Sequence, residues 1–145
     1  MFDLEVIMTT DLITISSDSK LDAARDLMRK HRIRHLPVVD GQGGLVGLLT
    51  SSDVLAATDS MLRSTDERIR ANEISVSEVM VREIVTVGPG AGLRQAALFL
   101  EKHRIGCLPV AADGKLLGII TDTDFVGVAI NLLEQIEEFE PVENG

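Results

Sequence analysis

The constraint that governs this chain is internal repetition. Lys30-His31-Arg32-Ile33-Arg34-His35-Leu36-Pro37-Val38 returns as Lys102-His103-Arg104-Ile105-Gly106-Cys107-Leu108-Pro109-Val110. Met8 is matched by Met80, Thr14 by Thr86 and Leu21 by Leu93. After one deleted residue, Gly47-Leu48-Leu49-Thr50-Ser51-Ser52-Asp53 is matched by Gly118-Ile119-Ile120-Thr121-Asp122-Thr123-Asp124. Solenoids need at least about three stacked repeats. Two copies instead make a pseudo-symmetric pair, in which any site built by one copy has a counterpart in the other.

The 145 residues suffice for one compact domain or for two half-size units sharing a core. A hydrophobic share of 45% supports a packed interior, and with four Phe and no Trp or Tyr that interior must be aliphatic. The same scarcity of aromatics leaves few platforms for stacking nucleobases. A net charge of −9 opposes binding to a phosphate backbone, so no nucleic-acid partner is expected. Part of the excess is local, since Glu134, Glu137, Glu138, Glu140 and Glu143 follow Asn131 without a Lys or Arg among them. Cys107 is alone and forms no intrachain disulfide, which fits a reducing compartment. Met1-Phe2-Asp3-Leu4-Glu5 carries acids where a signal peptide carries bases, and no apolar run approaches the roughly 18 residues that span a bilayer. A cytoplasmic protein with no membrane partner is the expectation.

Each copy reads as strand, helix, strand, strand, helix. Leu12-Ile13-Thr14-Ile15 is a β-branched run, and Ser16-Ser17-Asp18-Ser19 offers an N-cap for a helix carrying Leu21, Ala24, Leu27 and Met28 on one stripe. Leu36-Pro37-Val38-Val39 opens a strand, because Pro cannot continue the helix. Asp40-Gly41-Gln42-Gly43-Gly44 is a hairpin signal, Leu45 to Leu49 returns, and a helix begins near Ser51. The second copy predicts a strand at Ile84-Val85-Thr86-Val87, a helix with Leu93, Ala96, Phe99 and Leu100, a hairpin at Asp113-Gly114 and a last helix. Phe125, Ala129, Leu132, Leu133 and Ile136 share a face of that helix, which stops before Pro141. The aperiodic stretch Ala56 to Ser75 reads as a partly helical connector. A unit of about 50 residues is marginal alone, so the copies should pack sheet against sheet about a pseudo-twofold axis. The boundaries expected are 1–60 and 76–130 for the repeats, 61–75 for the connector, and 131–145 for the end of the last helix and an acidic tail.

The sharpest polar feature is Thr-x-x-Asp directly after an apolar strand, at Thr50 with Asp53 and at Thr121 with Asp124. A helix N-terminus exposes backbone N–H groups that suit an anion. A Thr hydroxyl there can donate to a phosphate, and an Asp one turn on can accept both hydroxyls of a ribose. The same pair also makes a plain helix cap, and duplication would copy a cap as readily as a site.

In order, Met8, the Ile-Thr strand, the Leu-x-x-Ala-x-x-Leu-Met helix, His-Arg-Ile-x-x-Leu-Pro-Val and Gly-x-x-Thr-x-x-Asp resemble a cystathionine-β-synthase-type (CBS) domain. Two in tandem over residues 6 to 130 resemble a Bateman module of the bacterial, stand-alone kind. The resemblance implies an α+β fold of two β-α-β-β-α repeats packed sheet to sheet with pseudo-twofold symmetry, and two clefts for adenosine-containing ligands. It assigns the ribose to Asp53 and Asp124, and phosphate contacts to Thr50 with Ser52 and Thr121 with Thr123. A basic pair before Leu-Pro-Val reaches phosphates in the neighbouring repeat's cleft in some family members. Arg34 and His35 would then face the ligand of Asp124, with Gly106 and Cys107 lining the Asp53 cleft. The resemblance also implies homodimerisation through helices of both repeats.

Three His and one Cys share no metal-ligand spacing, and Cys107 belongs to no recognisable triad. Gly88-Pro89-Gly90-Ala91-Gly92 lacks the Gly-Lys-Ser/Thr ending of a phosphate loop and reads as a flexible turn. The expectation is a non-enzymatic sensor without catalytic cofactor or metal. It binds AMP, ADP or ATP as a regulatory ligand and signals in trans to a client protein. The alternatives are a structural dimerisation scaffold with empty clefts, or a sensor of S-adenosylmethionine or a dinucleotide.

Overall fold

The structure, a computed structural model, describes residues 4–62 and 71–139. Most of the expected connector and the acids Glu140 and Glu143 lie outside the described residues. After a 3-10 turn at Leu4–Val6, the first copy runs β1 (Ile15–Ser16), α1 (Leu21–His31), β2 (His35–Val39), β3 (Leu45–Thr50) and α2 (Ser51–Leu62). The second runs α3 (Val76–Val79), α4 (Leu93–His103), β4 (Cys107–Ala112), β5 (Lys115–Thr121) and α5 (Asp122–Phe139). The fold is the α+β pair of repeats packed sheet to sheet. The first sheet has the order β1-β2-β3, with β1 parallel to β2 and β2 antiparallel to β3. The second is the β4-β5 hairpin.

The second sheet is one strand short of expectation. Val87 makes a single parallel bridge to Val110, donating to the Pro109 carbonyl and accepting from Ala111. The chain then turns at Gly88, whose carbonyl accepts from Ala91, and Pro89 has no N–H with which to extend a ladder. In the first copy, likewise, the strand expected over Leu12 to Ile15 is reduced to Ile15–Ser16. Pro37 is fully buried inside the central strand β2. It is tolerated because β1 reaches only Val38 and Val39, so no neighbour asks Pro37 for a donor.

A correction also applies to the start of α1. Ser16 to Ser19 form a turn, with Ser19 donating to the Ser16 carbonyl, and the N-cap is Lys20 without a side-chain bond. The helix's first donors go elsewhere: Leu21 N–H to Ile74 O and Asp22 N–H to Ala71 O. The segment at 71–77 is held in turn by Val76 N–H to Ser19 O and Ser77 N–H to Ser17 O. It enters α3, not foreseen from periodicity, through a reciprocal box between Ser75 and Glu78. Helices α1 and α4 end alike, on Arg32 (φ 54°) and Arg104 (φ 51°) in the left-handed region, each N–H closing onto the preceding turn.

The cores do not follow the order of the repeats. The first contains Leu21, Ala24, Met28, Leu36, Val38, Leu49 and Val54 from its own repeat, with Val76 and Met80 from the start of the second. The second contains Ala96, Leu100, Leu108, Val110 and Ile120, completed by Leu4 from the start of the first, with Ile7 and Met8 packed against it. Each copy therefore sends its leading segment into the other. Thr9 and Ile119 exchange both backbone hydrogen bonds, as do Leu48 and Val81. Met8 lies over Gly118 and Met80 over Gly47, so close that a Cβ on either glycine would collide with the thioether. This explains why Met and Gly recur together in both copies. The hairpin tips also join across the axis, through Leu45 N–H to Gly114 O and Leu116 N–H to Gly43 O.

The face expected on α5 packs only at its beginning. Phe125 meets the second core, whereas Val126, Ile130, Leu132, Leu133 and Ile136 are 52–56% exposed.

Leu4→Ala tests the exchange. Because Leu4 is fully buried in the other repeat's core, the substitution should cost about 2–5 kcal/mol, the range for truncating a buried Leu. Urea unfolding measures it, and a loss below about 1 kcal/mol would mean that the leading segment does not belong to that core.

Candidate functional site

Both Thr-x-x-Asp motifs are reciprocal helix caps. Asp53 N–H donates to Thr50 Oγ1 (3.1 Å) and Thr50 N–H to Asp53 Oδ2 (3.3 Å). In the second copy Asp124 N–H donates to Thr121 Oγ1 (3.4 Å) and Thr121 N–H to Asp124 Oδ2 (2.8 Å). Each motif therefore satisfies orphan donors at the head of α2 or α5. Among the described residues only Oδ2 of each carboxylate meets a protein donor, which leaves Oδ1 of a half-buried Asp without one. Capping and ligand binding are thus compatible: the cap aims the carboxylate.

The head of each helix is pinned to the residue that leads into the first strand of its repeat's hairpin. Ser51 N–H donates to Arg34 O and Asp122 N–H to Gly106 O. These bonds bring the basic pair of one copy and its small counterpart up to the Thr-x-x-Asp turns.

One cavity of about 310 Å³ is lined by Thr121, Asp122, Thr123 and Asp124 from the second copy, and by Arg32, Ile33, Arg34 and His35 from the first. Thr9, Asp11, Leu12 and Ile13 complete much of the rest of its wall. Its counterpart, also about 310 Å³, is lined by Thr50 and Leu48 with Glu83, Ile84, Val85, Arg104, Ile105, Gly106 and Cys107. Neither Asp53 nor Ser52 reaches that wall. Ser52 instead lines a separate cavity between α1 and α2, with Arg25, Arg29 and Leu55. The two clefts are therefore unequal: the Asp124 cavity gathers a complete set of polar groups, and the Thr50 cavity holds one motif residue.

The inequality has a steric cause. A Cβ on Gly106 would stand 3.3 Å from His35 Nε2 and 3.4 Å from Asp122 Oδ2. The imidazole of one copy and the carboxylate of the other fill the space where a counterpart of the Arg34 side chain would begin. A side chain at position 106 would press on both groups, and glycine fits there without moving them. His35 lines both cavities and forms a partition between them.

Residues that sequence reading passed over stand beside those it singled out. Arg32 and Arg104 enter their cavities from the left-handed caps of α1 and α4, and Asp11 and Glu83 occupy equivalent places on the opposite wall. Their signal was available, since each pair sits at matching positions of the two copies. Asp122 had no such signal, because its counterpart is Ser51. Among the described residues no group of three or more His, Cys, Asp and Glu could hold a metal ion, and no helix is long and apolar enough to cross a membrane.

Burial lowers the pKa of His35 below its ordinary 6.5, with Asp122 opposing this and Arg34 adding to it. The unfolded chain then takes up this proton more readily than the folded one. His35 thus contributes stability above pH 6.5 that is lost as pH falls. His35→Gln should flatten the decline in urea midpoint between pH 7.5 and 5.5, and an unchanged decline counts against this reading. Burial, followed by the fields of Asp122 and Asp124, pushes the Cys107 thiol up to about 12. Since the thiolate is the reactive form, iodoacetamide at pH 8 should label native Cys107 at least about a hundredfold more slowly than the urea-unfolded chain.

A family model for the CBS domain matches residues 3–60 and 76–131. The chain is 32% identical over 134 residues to a CBS domain-containing protein of Dictyostelium discoideum, covering 90% of this chain and 92% of that one. It is also 34% identical over 119 residues to a homoserine O-acetyltransferase of Methanocorpusculum labreanum, of which it spans 22%. Among solved structures, a putative acetoin utilization protein (AcuB) from Vibrio cholerae is similar at a TM-score of 0.82 and 43% identity, covering 97% of this chain and 99% of that one. The CBS domain pair of protein MJ0100, in complex with 5′-methylthioadenosine and S-adenosyl-L-methionine, is similar at 0.79 and 27%, covering 91% and 98%. CBSX2 in complex with AMP is similar at 0.77 and 27%, covering 91% and 98%. With its two matched repeats, its crossed leading segments and its paired Thr-x-x-Asp turns, the chain belongs to the CBS-domain family as a tandem pair.

Proposed function

We propose that this chain is a non-enzymatic regulatory module. It takes an adenosine-containing ligand (AMP, ADP or ATP) into a cleft between its repeats and reports occupancy in trans to a client protein in the cytoplasm. The Asp124 cavity carries the reading. A half-buried carboxylate with one oxygen lacking a protein donor shares about 310 Å³ with Thr121, Thr123 and the cationic Arg34. An acceptor for ribose hydroxyls and donors for phosphate therefore stand on one wall system. The volume lies at the lower end of the roughly 300–1,000 Å³ usual for small-molecule sites. Support also comes from the two similar pairs solved with adenosine compounds. By the same geometry the Thr50 cavity is the weaker site. S-adenosylmethionine is the alternative occupant, favoured by the MJ0100 complex.

The module acts as a homodimer. Val126, Ile130, Leu133 and Ile136 on α5 and Leu55 on α2 are each more than half exposed, and a second copy is the partner that repeats this apolar surface in complementary form.

A thermal-shift screen of the protein with AMP, ADP, ATP, S-adenosylmethionine and NAD tests the binding reading. At about a hundred times its Kd a ligand adds roughly 2.7 kcal/mol, which for a chain of this size raises Tm by several degrees at about 2–8 °C per kcal/mol. The shift should vanish in Asp124→Ala and persist in Asp53→Ala. No shift with any of the five at millimolar concentration would favour an empty scaffold. For the assembly, light scattering after size exclusion should give twice the chain mass, and Ile130→Glu with Leu133→Glu should halve it. A monomeric parent protein rejects the dimer.

A further inference from the structure

We infer that the Asp124 cavity selects adenosine compounds whose tail carries no more than one phosphate, or carries a positive charge, and that Asp122 sets this limit. The inference rests on the adenosine reading above and narrows it to a ligand class.

The anion seat at the head of α5 is already taken by the protein itself. Asp122 Oδ1 accepts from Thr123 N–H at 2.8 Å and lies 3.4 Å from Thr123 Oγ1. These are the backbone donor and the hydroxyl that a phosphate at a helix N-terminus would use. The other oxygen of the same carboxylate stands beside Gly106 and His35, so the charge belongs to the cavity wall that Asp122 lines. A terminal phosphate would have to displace Asp122 or bind next to it. Like charges this close repel, and each further phosphate adds to the excess.

The rest of the wall does not offset this. Arg32 and Arg34 supply two positive charges, and Asp11 and Asp122 oppose them even when Asp124 is reserved for ribose. His35 adds little cationic help at neutral pH, because burial favours its uncharged form. One phosphate can be met by Arg34, but a triphosphate brings more negative charge than the wall can match. A sulfonium or ammonium tail finds Asp122 and Asp11 as partners.

Pseudo-symmetry supplies an internal control. The position equivalent to Asp122 in the first copy is Ser51, so the repeat can build this turn without a carboxylate. The acid is a property of one cavity and not of the fold.

Calorimetry in magnesium-free buffer, with adenosine, AMP, ATP and S-adenosylmethionine as titrants, tests the inference on the full chain and on Asp122→Ser and Asp122→Asn. The parent chain should bind AMP or S-adenosylmethionine at least about tenfold more tightly than ATP. Both variants should close or reverse that gap by about tenfold, a difference of about 1.4 kcal/mol. Adenosine affinity should stay within about twofold throughout, which separates a change in charge from a damaged pocket. Serine preserves the residue the first copy uses and asparagine preserves the shape, so a fold defect in one leaves the other as a measurement. ATP binding as tight as AMP in the parent, or a gap unmoved in both variants, overturns the role of Asp122 while leaving adenosine binding intact. If none of the four compounds binds, or if binding survives Asp124→Ala, the adenosine reading at this cavity fails and the inference fails with it.

Discussion

Everything in this molecule depends on the crossing of the two leading segments. Neither repeat can close its own core: the first lacks Val76 and Met80 until the second supplies them, and the second lacks Leu4 and the Met8 contact until the first does. The crossing is possible because the glycines opposite Met8 and Met80 leave no Cβ in the way. Two half-domains of this size would each bury too little apolar surface to be stable alone, and exchange makes their folding mutually dependent. The clefts are a consequence. They form where a Thr-x-x-Asp turn of one copy meets the cap and strand of the other, so neither of these two clefts is built by a single repeat.

That geometry explains why a duplicated sequence yields unequal sites. Across the axis, position 106 faces the His35 imidazole, so a side chain there would crowd it. Arg34 and His35 stand on one side, and Gly106 and Cys107 accommodate them on the other. Positive charge is thereby concentrated in the Asp124 cavity. The carboxylates of Asp11 and Asp122 stand against that charge in the same cavity. The surrounding scaffold stays nearly symmetric, down to the left-handed Arg32 and Arg104, so specialisation has proceeded through a few side chains at the shared wall.

The exposed apolar stripe on α5 differs in kind from the clefts. Leu132, Leu133 and Ile136 obey the helical periodicity that ordinarily marks a core face, yet the core ends near Phe125. Periodicity reports that a helix has an apolar face. It does not report whether the same chain covers that face, because α5 outruns the sheet it starts from. A similar limit affected the strands: the Ile84 to Val87 run has strong β-propensity, but Pro89 ends its pairing after one bridge.

What the sequence determined by itself was local or repeated: the helix, hairpin and helix of each copy, the hairpin turns at Asp40 and Asp113, and the Thr-x-x-Asp turns that become caps. Each follows from spacing and residue chemistry over a few positions, and recurrence turned weak signals into a strong one. Only the tertiary structure decided which core each leading segment completes, that the head of α1 is capped by carbonyls at 71 and 74, that Ser52 faces away from the Thr50 cavity, and that Asp122 occupies the seat beside Thr123. Those outcomes depend on which surfaces meet across the axis. That meeting is set by long-range packing and steric exclusion, to which the spacing of residues along one copy is blind.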